Sequence, residues 1–229
     1  MFWIDKWYLL LVVPALLVAA WAQFRVQSTF KKYGQVGTSR RITGAQASRI
    51  IQQRNGIQVP IESVAGHLTD HYDPKANVIR LSEPVGQVDS IAAVGVAAHE
   101  TGHALQYEAG YAPIQLRAAI VPVTRIASTL SPYLVIAGLV FSIDPLAYLG
   151  VAFFGLAVLF QLITLPVEFN ASARAIRALS EGGMMTDEEL DGVRKVLWAA
   201  AMTYVAALFV SLMSLLRLLL MVSGRRRND

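Results

Sequence analysis

Cysteine is missing altogether from the 229 residues, and charged side chains are scarce at 16%. The first absence excludes disulfides, thiolate metal sites and cysteine nucleophiles, so any metal must be held by His, Asp, Glu or backbone oxygen. The chain has only four histidines to draw on. The second absence sets it apart from soluble globular domains, in which about a quarter of residues are charged. Hydrophobic residues, at 55%, take the place of charge, the balance of a membrane protein. The net charge is +4, and the basic residues gather beside apolar runs instead of alternating with exposed aromatics. That pattern excludes a nucleic-acid surface and makes the lipid bilayer the natural partner.

Residues 8–24, YLLLVVPALLVAAWAQF, are an apolar run flanked by Trp3, Trp7, Trp21 and Arg25, the pattern of a span with interfacial aromatics. A cleaved signal peptide competes, because Ala20-Trp21-Ala22 has the cleavage-site form, but the leading MFWIDK carries no net positive charge. Residues 1–24 are therefore read as the first transmembrane helix. Residues 25–115 are charged and punctuated by Gly, Asn and Pro, as in a soluble domain. In it, TSRRITGAQASRIIQQRNG reads as an amphipathic helix ending at Asn55-Gly56, IQVPIESV as an extended stretch, TDHYDPKAN as turns and VIRLS as a strand. A helix over 90–109, capped by Asp89 or Ser90 and stopped by Gly110, is apolar on every side in its first half, which predicts burial. Residues 116–166 form a membrane hairpin turning at Ser142 to Pro145, 167–196 a polar helical segment, 197–222 the last span and 223–229 a basic tail. The expected fold is mainly α, with about four transmembrane helices and a small α+β soluble domain whose short sheet lies beside the 90–109 helix.

That helix carries AAHETGHALQ. Residues four apart share a helix face, so His99 and His103 can aim imidazole nitrogens at one ion. Glu100 sits one residue further round, where a carboxylate can act as general base on metal-bound water. Gly102 leaves room beside the metal for ligand or substrate. Two helical histidines can also be ordinary core residues, but a buried apolar helix is a costly place for three ionisable groups unless a metal satisfies them. Catalytic zinc takes three protein ligands and a water. The remaining candidates are His67, His71, Asp144, Glu168, Glu181, Asp187, Glu188, Glu189 and Asp191. Two crossings after the motif helix return the chain to its starting face at residue 168, which excludes Asp144. Glu168 follows the third span in LPVEFNASARAI, where Pro166 can start a new helix. The TDEELDG cluster reads instead as a solvated helix start.

HETGHALQ, LTDHYDP and LPVEFNASARAI, with the order of apolar segments, resemble the YugP-type membrane zinc metallopeptidases of bacteria over residues 25–220. The resemblance implies a gluzincin-like, HExxH metalloprotease with one zinc per chain, more distantly similar to the prenyl-protein and heat-shock membrane metalloproteases. Those relatives use Glu-x-x-x-Asp to supply a third ligand and a carboxylate that orients a zinc-bound histidine. Carried over, the ligand falls on Glu168, while Ser172 stands where the Asp would be and Asn170 is a candidate substitute.

The chemistry this implies is peptide hydrolysis of membrane or membrane-proximal proteins, with zinc on His99, His103 and Glu168 and Glu100 as base. His71 and Tyr72 are candidates for stabilising the oxyanion, although a turn held by Asp70 and Asp73 explains their segment equally well. VIRLS could pair with an extended polypeptide substrate by edge addition. Arg25, Lys31, Lys32, Arg40 and Arg41, and then Arg174, Arg177, Arg194 and Lys195, place the soluble side in the cytoplasm; the tail Arg225 to Arg227 disagrees. Two rival readings are a membrane adaptor with a structural zinc and a transport component suggested by Arg125 and Arg217. No span carries the paired acidic residues of an ion pathway, and Arg217 reads more simply as an interfacial anchor. A regulatory membrane partner or a homo-oligomer stays open at this level.

Overall fold

The computed structural model describes residues 5–225, with the side chain of Arg225 omitted; Trp3 and the tail residues Arg226 and Arg227 lie outside the described residues. Four helices are long and apolar enough to cross a membrane: Tyr8–Gly34, Ala112–Val140, Asp144–Glu181 and Asp187–Gly224. The expected mainly α architecture, with a small sheet beside the motif helix, is what the chain adopts. It divides into two compact units. One comprises Phe24–Gln115 and Pro166–Met202; the other comprises the described residues up to Gln23, Leu116–Leu165 and those from Thr203 onward.

In the first unit, α2 (Gly44–Arg54) starts six residues later than the pattern suggested. Thr43 closes a capping box with Gln46, its N–H donating to Oε1 at 2.8 Å, and this fixes the start. The preceding segment is tied down in other ways: Thr38 N–H donates to the Asp89 carbonyl, and Arg41 has φ +52°. Three strands follow, β1 (Ile61–Val64), β2 (His71–Asp73) and β3 (Val78–Ser82), in the order β1-β3-β2. β1 runs parallel to β3 and β2 antiparallel to it. β3 is therefore central and has no free edge, so the expectation that VIRLS receives a substrate strand is wrong; β1 and β2 hold the edges. β2 lies inside the segment read as turns. It is only three residues long, and Asp73 at its end accepts from the N–H groups of Lys75 and Ala76, an Asx turn whose signal dominates the local sequence.

After the short α3 (Glu83–Gly86), α4 (Ile91–Glu108) is capped by Ser90, whose hydroxyl accepts from Ala93 N–H at 3.2 Å. Ile79 and Leu81 of β3 pack with Val94, Ala97 and Ala98 of α4 and with Leu179 and Val193 of two later helices in one buried cluster. Two glycines of α4 let backbones close in. A Cβ on Gly102 would lie 2.6 Å from the Ala171 carbonyl oxygen, and one on Gly95 3.2 Å from Val193. Gly102 thus admits the neighbouring helix and does not leave space for ligand or substrate, as its position in the motif had suggested.

α5 (Ala112–Val140) and α6 (Asp144–Glu181) are longer than the apolar runs that announced them. α6 passes through Pro166 without a break, against the expectation of a new helix there. Proline's fixed φ is helical, so its cost is a missing hydrogen bond, which membrane helices tolerate. At about 1.5 Å per residue α6 is roughly 57 Å long, more than a hydrocarbon core of about 30 Å requires. Glu168 is carried on its second half. α7 (Asp187–Arg225) begins at the TDEELDG cluster, but that start is not wholly solvated: Glu189 is buried and accepts from Ser39 N–H at 2.5 Å and Thr186 N–H at 2.8 Å.

The second unit contains α1 (Val13–Gly34) up to Gln23, preceded by a π-helical turn at Tyr8–Val12, and the hairpin of α5 and α6. A Cβ on Gly138 would lie 2.3 Å from Ala147 N and one on Gly150 2.7 Å from Val135 N, the close approach that small residues permit between membrane helices. Ser131 donates to the Gly150 carbonyl at 2.8 Å across the same contact. Arg217 is no mere interfacial anchor: its guanidinium pairs with Asp5 at 3.0 Å and lies over the Tyr8 ring.

Candidate metal centre

His99 and His103 stand on successive turns of α4, their rings edge to face with centroids 4.8 Å apart. Both Nε2 atoms face one oxygen of Glu168 on α6: Oε2 is 3.3 Å from His99 and 3.6 Å from His103. Glu168 is only 2% exposed. Among the described residues, these three form the group of His, Asp and Glu side chains that could hold a metal ion, with the donor atoms all within 4.8 Å of one another.

The other nitrogen of each ring is also engaged. His99 Nδ1 lies 3.1 Å from Ser172 Oγ, and His103 Nδ1 lies 3.0 Å from Gln106 Oε1. Gln106 is fully buried and donates from Nε2 to the Val167 carbonyl at 2.8 Å and to Asn170 Oδ1 at 3.0 Å. Arg174 Nε donates to the same Asn170 oxygen at 2.8 Å. Ser172 therefore touches His99 directly, whereas Asn170 reaches His103 only through Gln106. Sequence reading missed Gln106, although a buried polar residue three positions after a histidine shares its helix face.

Glu100 is buried beside this cluster, and its Oε2 accepts from the backbone N–H of Tyr72 at 3.0 Å. That N–H lies on the edge of β2 turned away from β3. Burial pushes the Glu100 carboxyl above the usual carboxylate range; both imidazoles and the Tyr72 N–H oppose this, while the charge of Glu168 adds to it.

The remaining predicted residues are placed differently. His71 pairs across the sheet with Arg80, so its ring shares the face opposite Ile79 and Leu81, away from α4. There its Nδ1 meets the Thr69 carbonyl at 2.7 Å and its Nε2 lies 3.5 Å from Arg80 Nη1, so it is not brought to the metal cluster. The Tyr72 ring packs on Tyr107 with centroids 5.4 Å apart, and its hydroxyl donates to Asn77 Oδ1 at 2.8 Å. Burial, followed by Tyr107 and nearby carboxylates, raises the pKa of that hydroxyl. Tyr72 reaches the cluster through its backbone and not its side chain.

The family model described as "Putative neutral zinc metallopeptidase" matches residues 8–223. The chain belongs to this zinc metallopeptidase family. It is also 48% identical over 223 residues to the "Putative membrane protease YugP" of Bacillus subtilis (strain 168), covering 96% of this chain and 99% of that protein. No solved structure matches. Zinc is the metal of the metallopeptidase family, and the geometry can be tested against it. Bonds of about 2.0–2.1 Å at tetrahedral angles separate ligand atoms by about 3.3–3.4 Å. The His99-to-Glu168 separation, 3.3 Å, falls at that spacing, and the His103-to-Glu168 separation, 3.6 Å, lies just beyond it. Two imidazoles and one carboxylate are also a donor set that catalytic zinc takes, with a fourth position for water. The residues of the cluster fit the metal.

Proposed function

We propose that this protein is a membrane-embedded zinc endopeptidase that hydrolyses peptide bonds of membrane or membrane-proximal proteins. The observation that carries the reading is the convergence of His99 Nε2, His103 Nε2 and Glu168 Oε2 beside a buried carboxylate, Glu100, that takes no part in that convergence.

His99, His103 and Glu168 would hold the metal. Bound zinc supplies a Lewis acid that makes water nucleophilic near neutral pH. Glu100 would take the proton of the attacking water and hand it to the leaving amine. The Tyr72 N–H aims the carboxylate. Ser172 and Gln106 fix the rings of His99 and His103. A site on the cytoplasmic side is supported by the basic residues Arg25, Lys31, Lys32, Arg40, Arg41, Arg174, Arg177, Arg194 and Lys195, while the tail Arg225 to Arg227 opposes it.

The test uses the full chain in detergent with fluorescein-labelled casein. Glu100→Gln should retain about one zinc and lose proteolysis, and Glu168→Ala should lose the zinc. A fully active Glu100→Gln protein would remove Glu100 as the base.

A further inference from the structure

We propose that Gln106 is the positioning residue for His103, and that Asn170 and Arg174 act on the metal centre through it although neither touches a ligand. The inference rests on the reading of His103 as a zinc ligand.

The Val167 carbonyl is the one group in the relay whose role is not adjustable. A backbone carbonyl can only accept, so the side-chain atom of Gln106 that lies 2.8 Å from Val167 O must be the amide nitrogen. Its oxygen then faces His103 Nδ1 at 3.0 Å, and an oxygen facing a ring nitrogen requires that nitrogen to carry the proton. The proton on Nδ1 leaves the lone pair on Nε2, the atom turned toward Glu168. A side chain three residues along the same helix thus selects the imidazole tautomer able to bind a metal.

Gln106 is in turn held from α6. Its second N–H meets Asn170 Oδ1, and Arg174 Nε donates to the same oxygen. Two donors converging there leave the Asn170 amide one orientation, since a flipped amide would set N–H against N–H. The Arg174 guanidinium also lies over the Tyr111 ring, 5.9 Å from its centroid, which fixes the outer end of the relay. The chain of contacts from Arg174 to Asn170, Gln106 and His103 crosses from α6 to α4, and Glu168 stands on the same α6 segment. The ligands from the two helices are therefore oriented together. Among the described residues, the ring nitrogens turned away from Glu168 are met by Ser172 and Gln106 and by no carboxylate.

The experiment measures zinc affinity of the full-length protein in detergent by competition with a chelator, with thermal unfolding as the check on folding. Gln106→Leu should weaken zinc binding roughly 10–100-fold, the usual cost of losing a partner that orients a metal-bound histidine. Asn170→Ala and Arg174→Met should weaken it progressively less. A purely structural bridge between α4 and α6 would not alter the second readout: in nitrogen-15 spectra of the zinc-loaded protein, the His103 Nδ1–H should exchange slowly with water in the wild type and fast in Gln106→Leu. If Gln106→Leu does not fold, the two milder variants carry the same comparison. Zinc affinity within twofold of wild type in every folded variant, with unchanged Nδ1–H exchange, would overturn the inference, provided that His103→Ala loses the metal. Zinc retained by His103→Ala would overturn the ligand reading itself, and the inference with it.

Discussion

The backbone N–H of Tyr72 donates to Glu100 Oε2 at 3.0 Å, tying the carboxylate beside the metal cluster to the free edge of a three-residue strand. The contact depends on the main chain and not on the tyrosine ring, whose hydroxyl is committed to Asn77.

Tyr72→Phe and Tyr72→Pro should therefore behave differently. The Phe variant keeps the N–H and should retain activity within a few-fold. The Pro variant removes it at an edge position, where proline costs the β2–β3 ladder nothing. A hydrogen bond to a charged group contributes about 1.5–3 kcal/mol, so proteolysis should fall roughly 10–100-fold with zinc content unchanged. Equal activity in the two variants would show that the N–H does not aim the base. Steady-state kinetics beside metal analysis decides it.

Gly102 predicts a coupled loss of stability and metal. A Cβ there would meet the Ala171 carbonyl oxygen at 2.6 Å, and both partners are backbone, so α4 and α6 must separate. Gly102→Ala should lower stability by about 1–3 kcal/mol, the usual cost of overpacking. It should also weaken zinc binding, because the separation moves Glu168 away from the histidines. Thermal melts with and without chelator would measure both, and a Gly102→Ala protein matching wild type would contradict the close approach.

Much of this centre was legible in the sequence. The spacing of His99 and His103 is a property of one helix and survives whatever the fold does around it. Glu168 was legible through the parity of membrane crossings, even though the detail of Pro166 as a helix start was not: the local proline signal lost to a helix that carries on through it. What the sequence hid was held by long-range backbone partners. Gln106 is orthodox helix filler until the Val167 carbonyl is seen beside it. β2 exists because β3 offers it an edge, and no three-residue pattern announces that.

The outer face of the sheet gives a pH prediction. Arg80 pairs with Asp73 at 2.7 Å and with Glu62 at 3.2 Å. The hydrogen bond from Arg80 and those from two backbone N–H groups lower the Asp73 carboxyl to about 2 from an ordinary 3.8. Its folded pKa is depressed, so the stabilisation is present above about pH 4 and is lost as pH falls through about 2. Asp73→Asn should flatten the stability profile across that window, with slightly lower stability than wild type near neutrality and no difference once the carboxylate is protonated. Because the group is exposed, the effect will be small. Urea unfolding monitored at pH 5, 3.5 and 2.5 reads it.

Orientation can be tested with unusual ease, because a chain without cysteine accepts single reporters. Arg40→Cys and Phe141→Cys lie in segments separated by one crossing. In intact cells a membrane-impermeant maleimide should label position 141 and leave position 40 unlabelled until the membrane is opened. The reverse pattern would put the metal centre outside the cytoplasm.

The continuity of α6 through Pro166 also has a meaning for the order of synthesis. A ribosome that has completed α4 has made His99, Glu100 and His103, yet Glu168 stands on the far half of a helix not yet translated. The three donors can converge only after α5 and the first half of α6 have been made.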